Sequence, residues 1–130
     1  MEDNKYGYRK QVDGSFISVI EKVKSELSKK GFGVLTEIDV KATLKKKLDV
    51  DFDNYVILGA CNPPFAYKAL LAEKEIGLML PCNVIVYETN GDVFVSAILP
   101  ALAMSMIENE KLLEIAEQVE VKLKKLIDSV

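Results

Sequence analysis

At 130 residues, 49% hydrophobic and 28% charged, the chain has the length of one ordinary domain and the composition of one that buries a core, which excludes a disordered segment. A formal charge of −3 and a single arginine, Arg9, argue against a nucleic-acid platform, because the forked donor that reads phosphates and guanine edges is nearly missing. Histidine is absent, which removes Ser-His-Asp and Cys-His nucleophile pairs and histidine-containing zinc sites.

Tyr6 to Val12 reads as a first strand closed by Asp13-Gly14, with Asp13 or Ser15 as the N-cap of a following helix. Phe16, Ile20, Val23 and Leu27 recur at helical spacing, and Gly31 is a natural stop. Phe32 to Ile38 reads as a second strand, with Phe32, Val34, Thr36 and Ile38 on one face. Asp39 then caps a short helix, Val40 to Leu48, whose Val40, Leu44 and Leu48 point inward, and Asp49 to Asn54 form a polar loop. Tyr55 to Ala60 is almost continuously apolar, as in a central strand covered on both faces or nearly so. Asn62 suits an N-cap and Pro63-Pro64 a first helical turn, where a missing N–H costs nothing; that helix runs to about Lys74. Val84 to Thr89 and Asp92 to Ile98 flank Asn90-Gly91, a strong hairpin signal. Pro100 to Glu108 is apolar and irregular, and Asn109 caps a final helix striped by Leu112, Ala116, Val119, Leu123, Leu126 and Val130. The order βαβαβαββα predicts one α+β domain spanning residues 1–130, a single mixed sheet of about five strands with helices packed on it.

The start, Met1-Glu2-Asp3-Asn4-Lys5, lacks a signal peptide's basic and apolar regions. The longest mostly apolar run, Val93 to Ile107, carries Ser96, Pro100 and Ser105 and is too short to span a bilayer. A cytoplasmic protein without membrane or nucleic-acid partners is expected, its two cysteines free thiols.

Those cysteines mark the most informative stretch: Leu58-Gly59-Ala60-Cys61-Asn62-Pro63-Pro64, then Ala69-Leu70, then Glu75-Ile76-Gly77-Leu78-Met79-Leu80-Pro81-Cys82 running into Val84-Ile85-Val86-Tyr87-Glu88. Together with Gly31-Phe32 and the helix after Asn109-Glu110, this pattern resembles domain-of-unknown-function family 302 over nearly the whole chain. The resemblance implies a small α+β domain of bacteria and archaea, expected to be a homodimer, with no established activity. Cys61 and Cys82 match the family pattern and are the positions it offers as site candidates.

Cys61 at a strand-to-helix junction meets the positive end of a helix dipole, which favours thiolate; as a buried thiol it packs as a small hydrophobe. If the strands ending at Cys61 and beginning at Cys82 are parallel, about six residues at ~3.3 Å hold the thiols roughly 20 Å apart; if antiparallel, they meet. The long helical connection favours the parallel crossover and hence separation. No metal or cofactor is expected: the cysteines lie far outside C-x-x-C spacing, and Asp49, Asp51 and Asp53 lack the glycine and glutamate of a calcium loop. Tyr55, Phe65, Tyr67 and Tyr87 are candidates to line a small pocket near the cysteines, which core packing explains as well. Ile98 to Ile107, with Met104 and Met106, is a dimer surface or pocket lip if exposed and core if it folds inward, the dimer surface being preferred, and the C-terminal stripe faces the core or a partner. The leading expectation is a homodimeric ligand-binding or sensing module centred on Cys61, Asn62, Pro63, Pro64, Pro81 and Cys82. The alternatives are a thiol-dependent redox or sulfur-transfer enzyme with Cys61 as nucleophile, and a structural protein-interaction module.

Overall fold

The computed structural model describes residues 5–130, so the reading of Met1 to Asn4 lies outside the described residues. Five apolar, alternating segments become β1 (Gly7–Val12), β2 (Gly33–Asp39), β3 (Tyr55–Cys61), β4 (Cys82–Thr89) and β5 (Asp92–Ile98), joined in one sheet of order β1-β5-β4-β3-β2. The helices are α1 (Phe16–Lys29), α2 (Val40–Leu48), α3 (Pro63–Ala72), α4 (Pro100–Ala103) and α5 (Glu110–Ser129), with a 3-10 helix at Lys74–Met79. This is the α+β order read from the sequence. The sheet, however, is antiparallel at every pairing rather than mixed.

Local chemistry sets most boundaries. Ser15 Oγ accepts from Ser18 N–H at 3.1 Å, Asp39 Oδ1 from Ala42 N–H at 2.9 Å, and Asn109 Oδ1 from Leu112 N–H at 3.0 Å, so three helices start on side-chain caps. Gly31 ends α1 at φ 83°, and Asn90 and Gly91, at φ 52° and 84°, turn the β4–β5 hairpin as a type I′ turn requires. The helix begun at Pro63 ends at Ala72, short of Lys74, and the chain tightens into the 3-10 helix.

Helices α1 and α5 cover one face of the sheet. Val19, Ile20, Val23 and Leu27 of α1 and Val119, Leu123, Leu126 and Ile127 of α5 close on Val56, Leu58, Val84, Val86, Val93 and Val95. A second, smaller core joins Ala69 and Ile76 to Met104, Leu112 and Ala116 at the N-terminal half of α5. The C-terminal stripe is therefore core rather than partner surface, with Val130 packed at its margin. Tyr8 Oη donates to Asp128 Oδ1 at 2.7 Å and Lys10 Nζ to the Val130 carbonyl at 3.1 Å, pinning the end of α5 to the edge strand β1.

Two inward readings are corrected. No residue of α2 is buried and Leu48 is 66% exposed, because the helix sits beside β2 and β3 without a layer to cover it. In β2 the register shifts between Val34 and Thr36: Val34 faces Ala60, but Thr36 faces Gly59. This bulge at Leu35 puts Thr36 and Ile38 on the opposite face from Val34.

Candidate functional site

Because every strand pair is antiparallel, β3 ends where β4 and β5 meet the same margin of the sheet: Ala60 pairs with Cys82, Cys61 with Gly33, and Val84 with Ala97. The segment from Asn62 to Pro81 does not cross the sheet. It leaves at Cys61, folds as α3 and the 3-10 helix, and returns to the adjacent strand at Cys82. The expected separation of the cysteines is thereby overturned: they are register neighbours, both free, and unbonded. The physical reason is the short reach of the excursion, whose helix and 3-10 helix pack on each other rather than spanning the sheet length.

A cavity of about 270 Å³ opens at this margin, in the gap between the two cores. Its floor is Phe32, Ala60, Cys61, Asn62, Pro81 and Cys82 at the strand ends. One wall is Phe65, Ala66, Ala69 and Leu70 of α3 and the other is Leu112, Ile115, Ala116 and Val119 of α5, with Pro100 and Met104 between. Small side chains make the room: Ala60, Ala66, Ala69 and Ala116 stand where larger ones would close the gap. Among the described residues, Asn62 is the only lining residue with a side-chain nitrogen or oxygen, and none of the lining residues is charged.

Four of the six expected site residues, Cys61, Asn62, Pro81 and Cys82, line this cavity, whereas Pro63 and Pro64 form the first turn of α3 and do not. Asn62 stands at the N-cap position, yet its side chain makes no capping bond. Its Nδ2 instead reaches the Lys30 carbonyl at 3.5 Å, tying the start of α3 to the end of α1. Of the expected aromatics only Phe65 lines the cavity; Tyr67 is exposed on α3. Tyr55 and Tyr87 lie on the sheet face away from α1 and α5, their rings stacked at 5.5 Å, with Phe94 stacked 5.3 Å beyond. Among the described residues no helix layer covers that face, which corrects the expectation that β3 is enclosed on both sides: Val56, Leu58, Gly59 and Ala60 are buried, while Tyr55, Ile57 and Cys61 stay partly exposed.

Met104, expected at a dimer surface, is 6% exposed and lines the cavity, because the single turn α4 folds inward against α5; Met106 is 77% exposed. The Ala101 N–H of that turn donates to Glu120 Oε1 at 3.2 Å. The expected Cys61, Asn62 and Cys82 line this cavity, but the contribution of α5 is not foreseen: Leu112, Ala116 and Val119 are legible only as a helical stripe, and Ile115 not at all. The polar loop behaves as a solvated loop: Lys45 pairs with Asp49 at 2.9 Å and Asp51 at 3.6 Å. Among the described residues, no cluster of three or more Cys, Asp or Glu is placed to hold a metal ion.

Burial, and then the neighbouring Cys61, push the Cys82 thiol up to about 11 from 9.0. Cys82 is consequently a neutral lining group at neutral pH rather than a nucleophile. Below pH 9 folded and unfolded chains both keep this proton. Between pH 9 and about 11 only the unfolded chain releases it, so stability falls as pH rises through that window. Urea midpoints measured from pH 8 to 11 are expected to fall more steeply for the native chain than for Cys82→Ala, and parallel curves would show that Cys82 is not desolvated. Native Cys82 is likewise expected to resist iodoacetamide at pH 7 and to react once urea unfolds the chain.

A family model described as a domain of unknown function, DUF302, matches residues 8–130. The crystal structure of an uncharacterized conserved DUF302 protein from Bacillus stearothermophilus is similar with a TM-score of 0.90 and 32% sequence identity, over 96% of this chain and 98% of that one. No curated protein matches the chain.

Proposed function

Since the chain belongs to the DUF302 family, whose fold carries no assigned activity, we propose from its cavity that it is a binding or sensing domain for a small, largely apolar molecule. The carrying observation is the lining: carbon and sulfur throughout, one amide at Asn62, and about 270 Å³ of space. A cavity of some 150 Å³ already accepts a benzene-sized guest, and ligand sites are concave, mostly apolar and sparingly polar. The absence of a charge in the lining argues against a nucleotide or sugar phosphate buried there. A neutral Cys82 supports binding over dithiol redox chemistry. Free thiols suit the reducing cytoplasm, which is the setting we propose. No helix among the described residues is long and apolar enough to cross a membrane.

We further propose that the domain pairs with a second copy through the open sheet face. Tyr55, Ile57, Ile85 and Tyr87 are partly exposed on that face around the buried Phe94, and they share it with the polar Arg9, Asn83 and Ser96, so it is more apolar than a fully wet antiparallel face. Five strands at about 4.8 Å and about seven residues at ~3.3 Å give a footprint of roughly 550 Å² per protomer. Two copies then bury on the order of 1,100 Å², above the roughly 1,000 Å² a biological interface should clear and in the range of weak or transient ones. Native mass spectrometry of protein purified without reductant tests both readings. The expected result is twice the chain mass with an organic adduct that denaturation removes, and a monomer for Ile85→Lys but not for Met106→Lys. An empty protein that also takes up no added octan-1-ol would sink the binding reading. A monomeric wild type, or an Ile85→Lys dimer, would sink the sheet-face pairing.

A further inference from the structure

The wall of the cavity carries an electrostatic feature that the apolar lining does not explain. Phe65 lines the cavity, and two ammonium groups stand over its ring: Lys68 Nζ, one helical turn on in α3, at 5.7 Å from the centroid, and Lys122 Nζ of α5 at 6.0 Å. Neither ammonium has a carboxylate partner among the described residues; Lys22, Lys46, Lys47, Lys74, Lys111 and Lys125 lack one too, but none of those stands over a ring. In a chain of net charge −3, acidic groups outnumber basic ones, yet these two like charges converge on one ring with no anion between them. The ring quadrupole attracts each cation but does not neutralise their mutual repulsion.

We propose that the ligand is an anionic amphiphile: an alkyl or aryl body in the cavity and a carboxylate head at its margin, between Lys68 and Lys122. This rests on the cavity being a ligand site. The apolar interior takes the body, and the two ammoniums, which lie outside the lining but over the ring of lining Phe65, supply the countercharge where the head stays partly hydrated. Placement at the margin matters, since a carboxylate carried into the carbon-lined interior would lose its hydration with only the Asn62 amide in return. Two partly screened pairs of this kind are together worth roughly tenfold in affinity.

Calorimetric titration with a matched pair, octanoate and octan-1-ol, tests this at low and at high salt. Both probes are expected to bind, octanoate about tenfold tighter. The advantage should shrink in 0.5 M NaCl and disappear in Lys68→Gln/Lys122→Gln, which should bind octan-1-ol as the native chain does. Equal affinities in the native chain would overturn the anionic head and leave the apolar cavity as a site. An octanoate preference that survives the double substitution would equally overturn it, by removing the two lysines from the argument. Binding of neither probe would overturn the cavity reading itself, and the head-group assignment with it.

Discussion

Replacing Gly59 by alanine is expected to destabilise the domain by about 3 kcal/mol, lowering its thermal midpoint by roughly 10 °C. Gly59 lies in β3, level with Thr36 on one side and Asn83 on the other. A Cβ there collides with the Thr36 hydroxyl and comes within 2.8 Å of Pro81 Cγ, where carbon atoms ordinarily rest 3.5–4.0 Å apart. The hydroxyl can rotate away, because Thr36 is exposed. The proline ring cannot, since it belongs to the segment that closes the cavity floor and leads into β4. Gly33 serves as control, for a Cβ at that position meets nothing within 4 Å, and Gly33→Ala should change stability by less than about 0.5 kcal/mol. The measurement is a urea titration, in which the midpoint of Gly59→Ala falls while the slope is kept. If both variants unfold at the native midpoint, Pro81 does not press on β3 and the cavity floor is loose.

Gly59 also illustrates where legibility stopped. The sequence announces elements whose cause is local: the Ser15, Asp39 and Asn109 caps, the Gly31 stop and the Asn90-Gly91 turn all act within a few residues, and each appears in the fold. It is silent where the cause is a distant contact. The closeness of Gly59 to Pro81 depends on how a twenty-residue excursion returns, and a helical connection of that length suits a parallel crossover as well as an antiparallel return. Choosing the crossover put the cysteines at opposite ends of the sheet and left the cavity invisible. The same limit applies to β2, where a single bulge at Leu35 reverses the facing of Thr36 and Ile38 without any mark in the alternation. Asn62 was placed correctly at the start of α3, but its amide turns to the Lys30 carbonyl, a partner 32 residues away. The apolar, irregular run around Met104 suits an exposed interface and a buried core alike. Met104 is core because α4 folds onto α5, which only the second hydrophobic cluster reveals.

That second cluster supplies the most direct intervention on the proposed function. Ala116 is 3% exposed, stands on α5 between Leu112 and Val119, shares a packed cluster with Ala69, and lines the cavity. Ala116→Leu adds three carbons to a wall that has void in front of it, and costs the helix little because leucine is nearly as good a helix former as alanine. Octan-1-ol affinity is expected to fall at least thirtyfold, about 2 kcal/mol, because the added side chain occupies space the ligand needs. Folding stability should hold or rise by about 1 kcal/mol, as filling a void usually does. The opposite signs matter, since a variant that merely misfolds would lose both properties together. Val121→Leu, on the exposed side of the same helix, should alter neither. Undiminished octan-1-ol binding by a stable Ala116→Leu would mean that the molecule binds outside the cavity. The two unpaired lysines over Phe65 would then have to be read as surface charge alone.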